Sequence, residues 1–119
     1  MEVIQIAQQI LHCIKELDAL KVQQKTFMTN AVTAEVDYEN QVSKMIMRLR
    51  NGEEIEHEEI KIKNPPATVL DKIVRGITWQ DKLRMTTAQA ELKALQSNIM
   101  IEQSKLNGYK VIYQHLSEA

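Results

Sequence analysis

The chain has 119 residues, a length that makes one domain, and its 15 basic and 16 acidic side chains leave a net charge of -1. Phosphate contacts supply most non-specific nucleic-acid affinity, so near-neutrality argues against a dedicated nucleic-acid binder while leaving room for a local basic patch. With 3 glycines, 2 prolines and only Phe27, Tyr38, Trp79, Tyr109 and Tyr113 as aromatics, the material of sandwiches and barrels is missing. The fold class expected is all-α.

Residues 1–50 contain no glycine or proline and carry a helical pattern throughout, so a first long helix is expected over 1–50. Val3, Ile6, Ile10, Cys13, Leu17 and Leu20 step by three and four, with a second line, Ile4, Ala7, Leu11 and Ile14, beside them. Such an arc is wider than one partner helix can cover. The ladder then slips: the next in-phase apolar position is Met28, eleven residues after Leu17, followed by Ala31, Tyr38, Val42, Met45 and Leu49. Thr26, Thr29, Asn30 and Thr33 make this the weakest helical stretch and leave a kink or interruption there open. Asn51-Gly52, preceded by Lys44, Arg48 and Arg50, reads as a C-terminal stop, with cations on the carbonyl end and a left-handed cap.

Residues 51–66 read as an acidic loop or a short strand. Glu53, Glu54, Glu56, Glu58 and Glu59 precede Ile60-Lys61-Ile62-Lys63, which alternates as a strand does. A lone strand there requires a partner from a second chain; otherwise the segment stays irregular. Asn64-Pro65-Pro66 bars further helix, and Pro66 opens a short one over 67–76, with Val69, Leu70 and Ile73 on one side and Gly76 closing it. Thr78-Trp79-Gln80-Asp81 reads as a capping box with Asp in the usual Glu or Gln place, starting a second long helix over 79–117.

That second helix carries the stripe Met85, Ala88, Leu92, Leu95, Ile99, Glu102, Leu106, Tyr109, Tyr113 and Leu116, in which Glu102 alone is polar. Phase is kept across Asn107-Gly108, which predicts one continuous helix. Gln89, Gln96 and Gln103 flank the stripe, and Leu83, Ala90, Ala94 and Ile101 lie behind it. The architecture expected is a helical hairpin of two long antiparallel helices joined by a loop and a short helix. The surplus apolar arc points to a homo-oligomer, most simply a dimer with a four-helix core, with Met85, Leu92, Leu95, Ile99, Leu106, Tyr109 and Tyr113 as its seam. Glu102 in such a core calls for a basic or polar partner.

Chemistry is sparse. The run Glu53-Glu54-Ile55-Glu56-His57-Glu58-Glu59 is the one dense group of potential ligands, but it lacks the spacing of a calcium loop, and no HExxH occurs. It reads first as a solvated acidic loop, and second as a surface offering Glu53, Glu54, Glu56, Glu58 and Glu59 to a basic partner. His12 and His115 have no Cys, Asp or Ser at a spacing that makes a nucleophile and base. No phosphate-binding glycine loop is present. No enzymatic activity, metal or cofactor is expected. Lys44, Arg48 and Arg50 and, further on, Lys72, Arg75, Lys82 and Arg84 are expected at one end of the hairpin. Arg48, Arg50, Arg75 and Arg84 are the candidate nucleic-acid-binding residues, weighed against the plainer role of satisfying helix dipoles.

Cys13 stands alone, so no intramolecular disulfide forms and a reducing compartment is expected. The start Met-Glu-Val-Ile lacks the basic region of a secretory signal, and no apolar run approaches the ~20 residues that span a bilayer. A soluble cytoplasmic protein with no membrane partner is the expectation.

Met47-Arg48-Leu49-Arg50, the stretch from Pro66-Ala67-Thr68-Val69-Leu70-Asp71 to Arg75-Gly76, and Leu106-Asn107-Gly108-Tyr109 to Leu116 together carry a resemblance. The layout resembles small helical proteins of unknown function encoded by phages and prophages of Gram-positive bacteria, over roughly the last two-thirds of the chain. Gly108 within the helix and the acidic 53–59 segment depart from that pattern. The resemblance implies a phage accessory role and transfers no catalytic residue. The leading expectation is a non-enzymatic accessory protein in the host cytoplasm that binds an unidentified host or phage protein and inhibits it. One alternative is a DNA-associated factor of a phage replication or recombination module. Another is a chaperone or scaffold similar to the prefoldin β-type subunit in length and helix–insert–helix order, although that subunit needs two insert strands and Pro65-Pro66 with a short helix fits it poorly.

Overall fold

A computed structural model describes residues 2–118. The order of elements is α1 (Val3–Arg50), β1 (Ile55–His57), β2 (Ile60–Ile62), α2 (Ala67–Ile77) and α3 (Trp79–Glu118). The two long helices have 48 and 40 residues, and the short one extends through Gly76 to Ile77. No helix among the described residues is long and apolar enough to cross a membrane. The chain divides into two compact units, one made by the chain up to Thr29 and from Ala90 onward, the other by Asn30–Gln89.

α1 is unbroken through Thr26–Asn30, where the Thr29 hydroxyl donates to the Lys25 carbonyl over 3.0 Å and so keeps its hydrogen bond within the helix. The expected slip to Met28 does not occur. Met28 is 49% exposed, whereas Gln24 and Phe27 are half-buried and continue the line of Leu17 and Leu20. Gln24 is the reason. A half-buried polar residue occupies an inward step, so a ladder read from apolar letters alone loses its phase there.

In the unit formed by the chain ends, Cys13, Leu17 and Leu106 make the core, with Ile10, Ile99 and Tyr109 packed on it. Each fully buried aliphatic side chain contributes about 1.5–3 kcal/mol of transfer free energy. Gly108 continues α3 as expected, and a methyl group built on it would meet nothing within 4 Å in this chain.

The Asn30–Gln89 unit is built around Ala34, Tyr38, Val42, Leu49, Ile55, Leu70, Val74 and Met85. α1 enters it and ends at a left-handed cap. Gly52 has φ +82°, its N–H bonds to the Leu49 carbonyl at 3.2 Å, and the Glu53 N–H bonds to the Arg48 carbonyl at 3.1 Å. This pair of crossed bonds is the Schellman arrangement, which satisfies carbonyls that the helix end leaves free.

The acidic segment supplies its own strand partner, so the expected need for a second chain falls away. β1 pairs antiparallel with β2 in the register Ile55↔Ile62, Glu56↔Lys61, His57↔Ile60. Ile55 is 5% exposed and pins β1 to the core, a role hidden in the sequence by the glutamates on either side. The connecting Glu58 and Glu59 both have positive φ, 51° and 67°, as a two-residue type I′ hairpin turn requires.

Pro66 precedes α2 with φ -57° and ψ 141°, and α2 turns Leu70 and Val74 inward. Thr78 joins α2 to α3 and is itself buried. Its hydroxyl donates to the Val74 carbonyl at 2.9 Å, beside a backbone bond to the same oxygen at 3.0 Å. The expected capping-box bond is thus replaced: the side chain closes the preceding helix rather than opening the next. A hydroxyl enclosed by protein bonds the carbonyl within its reach.

Candidate interaction surfaces

The five glutamates expected to form one acidic surface are spread over the hairpin in different surroundings. Glu53 lies 3.6 Å from Arg48, across the end of α1. Glu56 stands opposite Lys61 on the neighbouring strand. Glu58 approaches His57 at 3.7 Å, and Glu54 and Glu59 are exposed to solvent. Among the described residues, no three His, Cys, Asp or Glu side chains come together as a metal-binding group.

Of the four candidate arginines, three hold carboxylates. Arg48 faces Glu53, Arg75 faces Asp71 at 3.0 Å, and Arg84 faces Asp81 at 3.5 Å. The hydrogen bond to Asp71, and then that to Tyr38, raises the Arg75 guanidinium above the ordinary arginine range. Arg50 is exposed and has no ion pair among the described residues. Exposed pairs such as these are worth little to stability, but each reduces the charge on offer to a phosphate.

Tyr38 is the polar centre that ladder reading misses, because it stands on the apolar line of α1 and looks like core. It is core, at 3% exposure, but its hydroxyl accepts from Arg75 Nη1 at 2.9 Å, and Lys82 Nζ lies 5.2 Å from its ring centroid. The signal available in the sequence is that a phenol on a core ladder demands a donor or acceptor.

The α3 stripe faces inward within the chain itself. Met85, Leu95 and Leu106 are buried, Leu92, Ile99 and Tyr109 are half-buried, and Tyr113 is exposed near the end of the helix. Glu102 lies half-buried on the same line. Its Oε1 accepts from Lys105 Nζ at 3.1 Å, while Oε2 is buried without a hydrogen-bond partner. The bond from Glu102 raises the Lys105 ammonium above the ordinary lysine range.

Other apolar residues are left in solvent. The second line of α1 is open, with Ile4 69% and Leu11 61% exposed and Ile14 beside them. On α3, Ile101, Val111 and Ile112 are exposed as well.

Each unit also holds an open groove. One, of about 410 Å³, is lined by Gln23, Phe27, Glu91, Ala94, Leu95 and Asn98. The other, of about 320 Å³, is lined by Asn30, Thr33, Ala34, Asp37, Arg84 and Ala88. Both linings mix polar and apolar side chains, with Glu91 in the first and Asp37 and Arg84 in the second. No family model, curated protein or solved structure matches the chain.

Proposed function

We propose that the chain is a non-enzymatic, phage-type accessory protein that acts by protein–protein contact, as a helical hairpin assembled into a dimer, and that it inhibits a host factor it binds. One observation carries this reading: the apolar line Ile4, Leu11 and Ile14 stays in solvent along the first turns of α1, where Glu2 is the only acidic residue and no Lys or Arg appears before Lys15. A contiguous, nearly uncharged apolar stripe on a helix favours association with another protein surface.

The test is light scattering on the wild type and on Ile4→Glu with Leu11→Glu, alongside circular dichroism. The expected result is a dimer that becomes a monomer with its helicity intact. A wild-type chain that is monomeric at high concentration removes the dimer, and a variant that still captures the same partner removes the stripe as the contact.

The prefoldin-like chaperone or scaffold is the second reading. The β1–β2 hairpin favours it by supplying the two insert strands which the sequence alone did not reveal, while α2 stands outside that pattern. The DNA-associated alternative draws less support, since Arg48, Arg75 and Arg84 already hold carboxylates. Salt-dependent DNA binding that collapses on replacing Arg48, Arg50, Arg75 and Arg84 would restore it.

A further inference from the structure

The chain contains two Asn-Gly dipeptides, Asn51-Gly52 and Asn107-Gly108, placed in opposite structural settings. Glycine leaves the amide nitrogen that follows an asparagine unobstructed, so this dipeptide is the one most open to intramolecular attack on the side-chain amide. The attack requires the glycine nitrogen to leave its hydrogen bond and swing toward the asparagine Cγ. Local backbone freedom therefore decides which site reacts.

Asn107 and Gly108 lie inside α3, which continues to Glu118. Their amides belong to an unbroken helical ladder, and the Asn107 Oδ1 is held by Gln103 Nε2 at 3.1 Å. Reaction there needs several helical bonds to open together. Asn51 and Gly52 stand past the last residue of α1. Asn51 is exposed, Gly52 already has the left-handed φ of +82°, and a single 3.2 Å bond to the Leu49 carbonyl restrains the Gly52 nitrogen. Helix ends fray at a small fraction of the free energy needed to open a helix interior.

We infer that Asn51-Gly52 is a built-in site of spontaneous covalent modification, at which the α1 cap converts from a neutral amide to a carboxylate, while Asn107-Gly108 is protected. The step balances without an oxidant or reductant. The Gly52 nitrogen loses its proton and bonds to Asn51 Cγ, the Cγ–Nδ2 bond breaks and ammonia leaves. Water then opens the cyclic imide at either carbonyl, giving aspartate or isoaspartate.

Both products work against the local structure. A carboxylate at residue 51 faces the negative end of the α1 dipole and adjoins Glu53 and Glu54. Isoaspartate also inserts a methylene into the backbone between the crossed bonds that end α1. Conversion should therefore loosen the cap and the hairpin that follows it.

The experiment ages the full-length chain in mildly alkaline buffer at physiological temperature and follows both asparagines by peptide mass spectrometry, natively and in denaturant. The native chain is expected to convert Asn51 about tenfold or more faster than Asn107, with the two rates converging when the helices are unfolded. Equal native rates overturn the inference, as does an Asn51 that reacts only in denaturant. Asn51→Gln, whose longer side chain closes the ring far less readily, should keep its thermal midpoint on ageing while the wild type loses it. Equal loss in both overturns the structural consequence.

Discussion

Arg75 Nη1 donates to the hydroxyl oxygen of Tyr38 over 2.9 Å, tying α2 to a residue of α1 that lies 37 positions earlier. The same guanidinium holds Asp71 through Nε at 3.0 Å, and Lys82 sits over the face of the tyrosine ring. One buried phenol thus receives a cation at its oxygen and another at its π face, so α1, α2 and α3 converge on a single side chain in the Asn30–Gln89 unit.

Tyr38→Phe separates those roles. It keeps the ring in the core and over Lys82 but removes the acceptor, so a loss of about 0.5–1.5 kcal/mol is expected in denaturant titration. Tyr38→Ala should cost more, about 3–5 kcal/mol, because it also empties the site. In a double-mutant cycle, Arg75→Ala should cost less in the Tyr38→Phe background than in the wild type. Full additivity would mean that the bond contributes nothing.

The hairpin tip offers a stabilising change. Glu58 and Glu59 both sit at positive φ, which for residues with a Cβ costs roughly 1–2 kcal/mol each. Asn-Gly suits a type I′ turn at both positions. Glu58→Asn with Glu59→Gly should therefore raise the thermal midpoint and slow amide exchange in β1 and β2. An unchanged or lower midpoint would show that the two glutamates make contacts outweighing their backbone cost.

The helices were legible because their signals are local and repeated. The α3 stripe, the Gly52 stop and the Pro66 start all needed only spacing and backbone preference. The hairpin was half legible: Ile60 and Ile62 alternate visibly, whereas Ile55 is a single apolar residue among acids, and its burial depends on a core assembled from distant segments. Thr78 and Tyr38 show the same limit, since the partner of a buried hydroxyl is set by packing. The acidic and basic candidates were found as residues, but their mutual pairing, such as Arg48 with Glu53, depends on how α1 ends.

The inward phase of α1 near its centre can be tested by neighbouring substitutions. Phe27 is half-buried and borders the groove of its unit, while Met28 points to solvent. Phe27→Ala should destabilise by more than about 1 kcal/mol, and Met28→Ala should stay within about 0.5 kcal/mol. The reverse order would restore the ladder through Met28 and shift the helix face by one residue.

Glu102 gives the sharpest test of the α3 stripe. Its Oε2 is buried without a partner, and a desolvated acceptor of that kind costs about 1–3 kcal/mol. Glu102→Leu should therefore stabilise the fold, with Glu102→Gln giving less because an amide still has polar atoms to satisfy. A destabilised Leu variant would mean that the carboxylate is needed there, for instance by a residue of another chain. The pair with Lys105 adds a dependence on pH whose sign is fixed. Lys105 is raised in the folded protein by the bond to Glu102, so its contribution is complete below the ordinary lysine pKa and is lost as pH rises through the folded value. Thermal midpoints of wild type and Lys105→Ala should differ at neutral pH and converge in strongly alkaline solution. A difference that persisted unchanged in strongly alkaline solution would assign the effect to the packing of the lysine side chain and not to its charge.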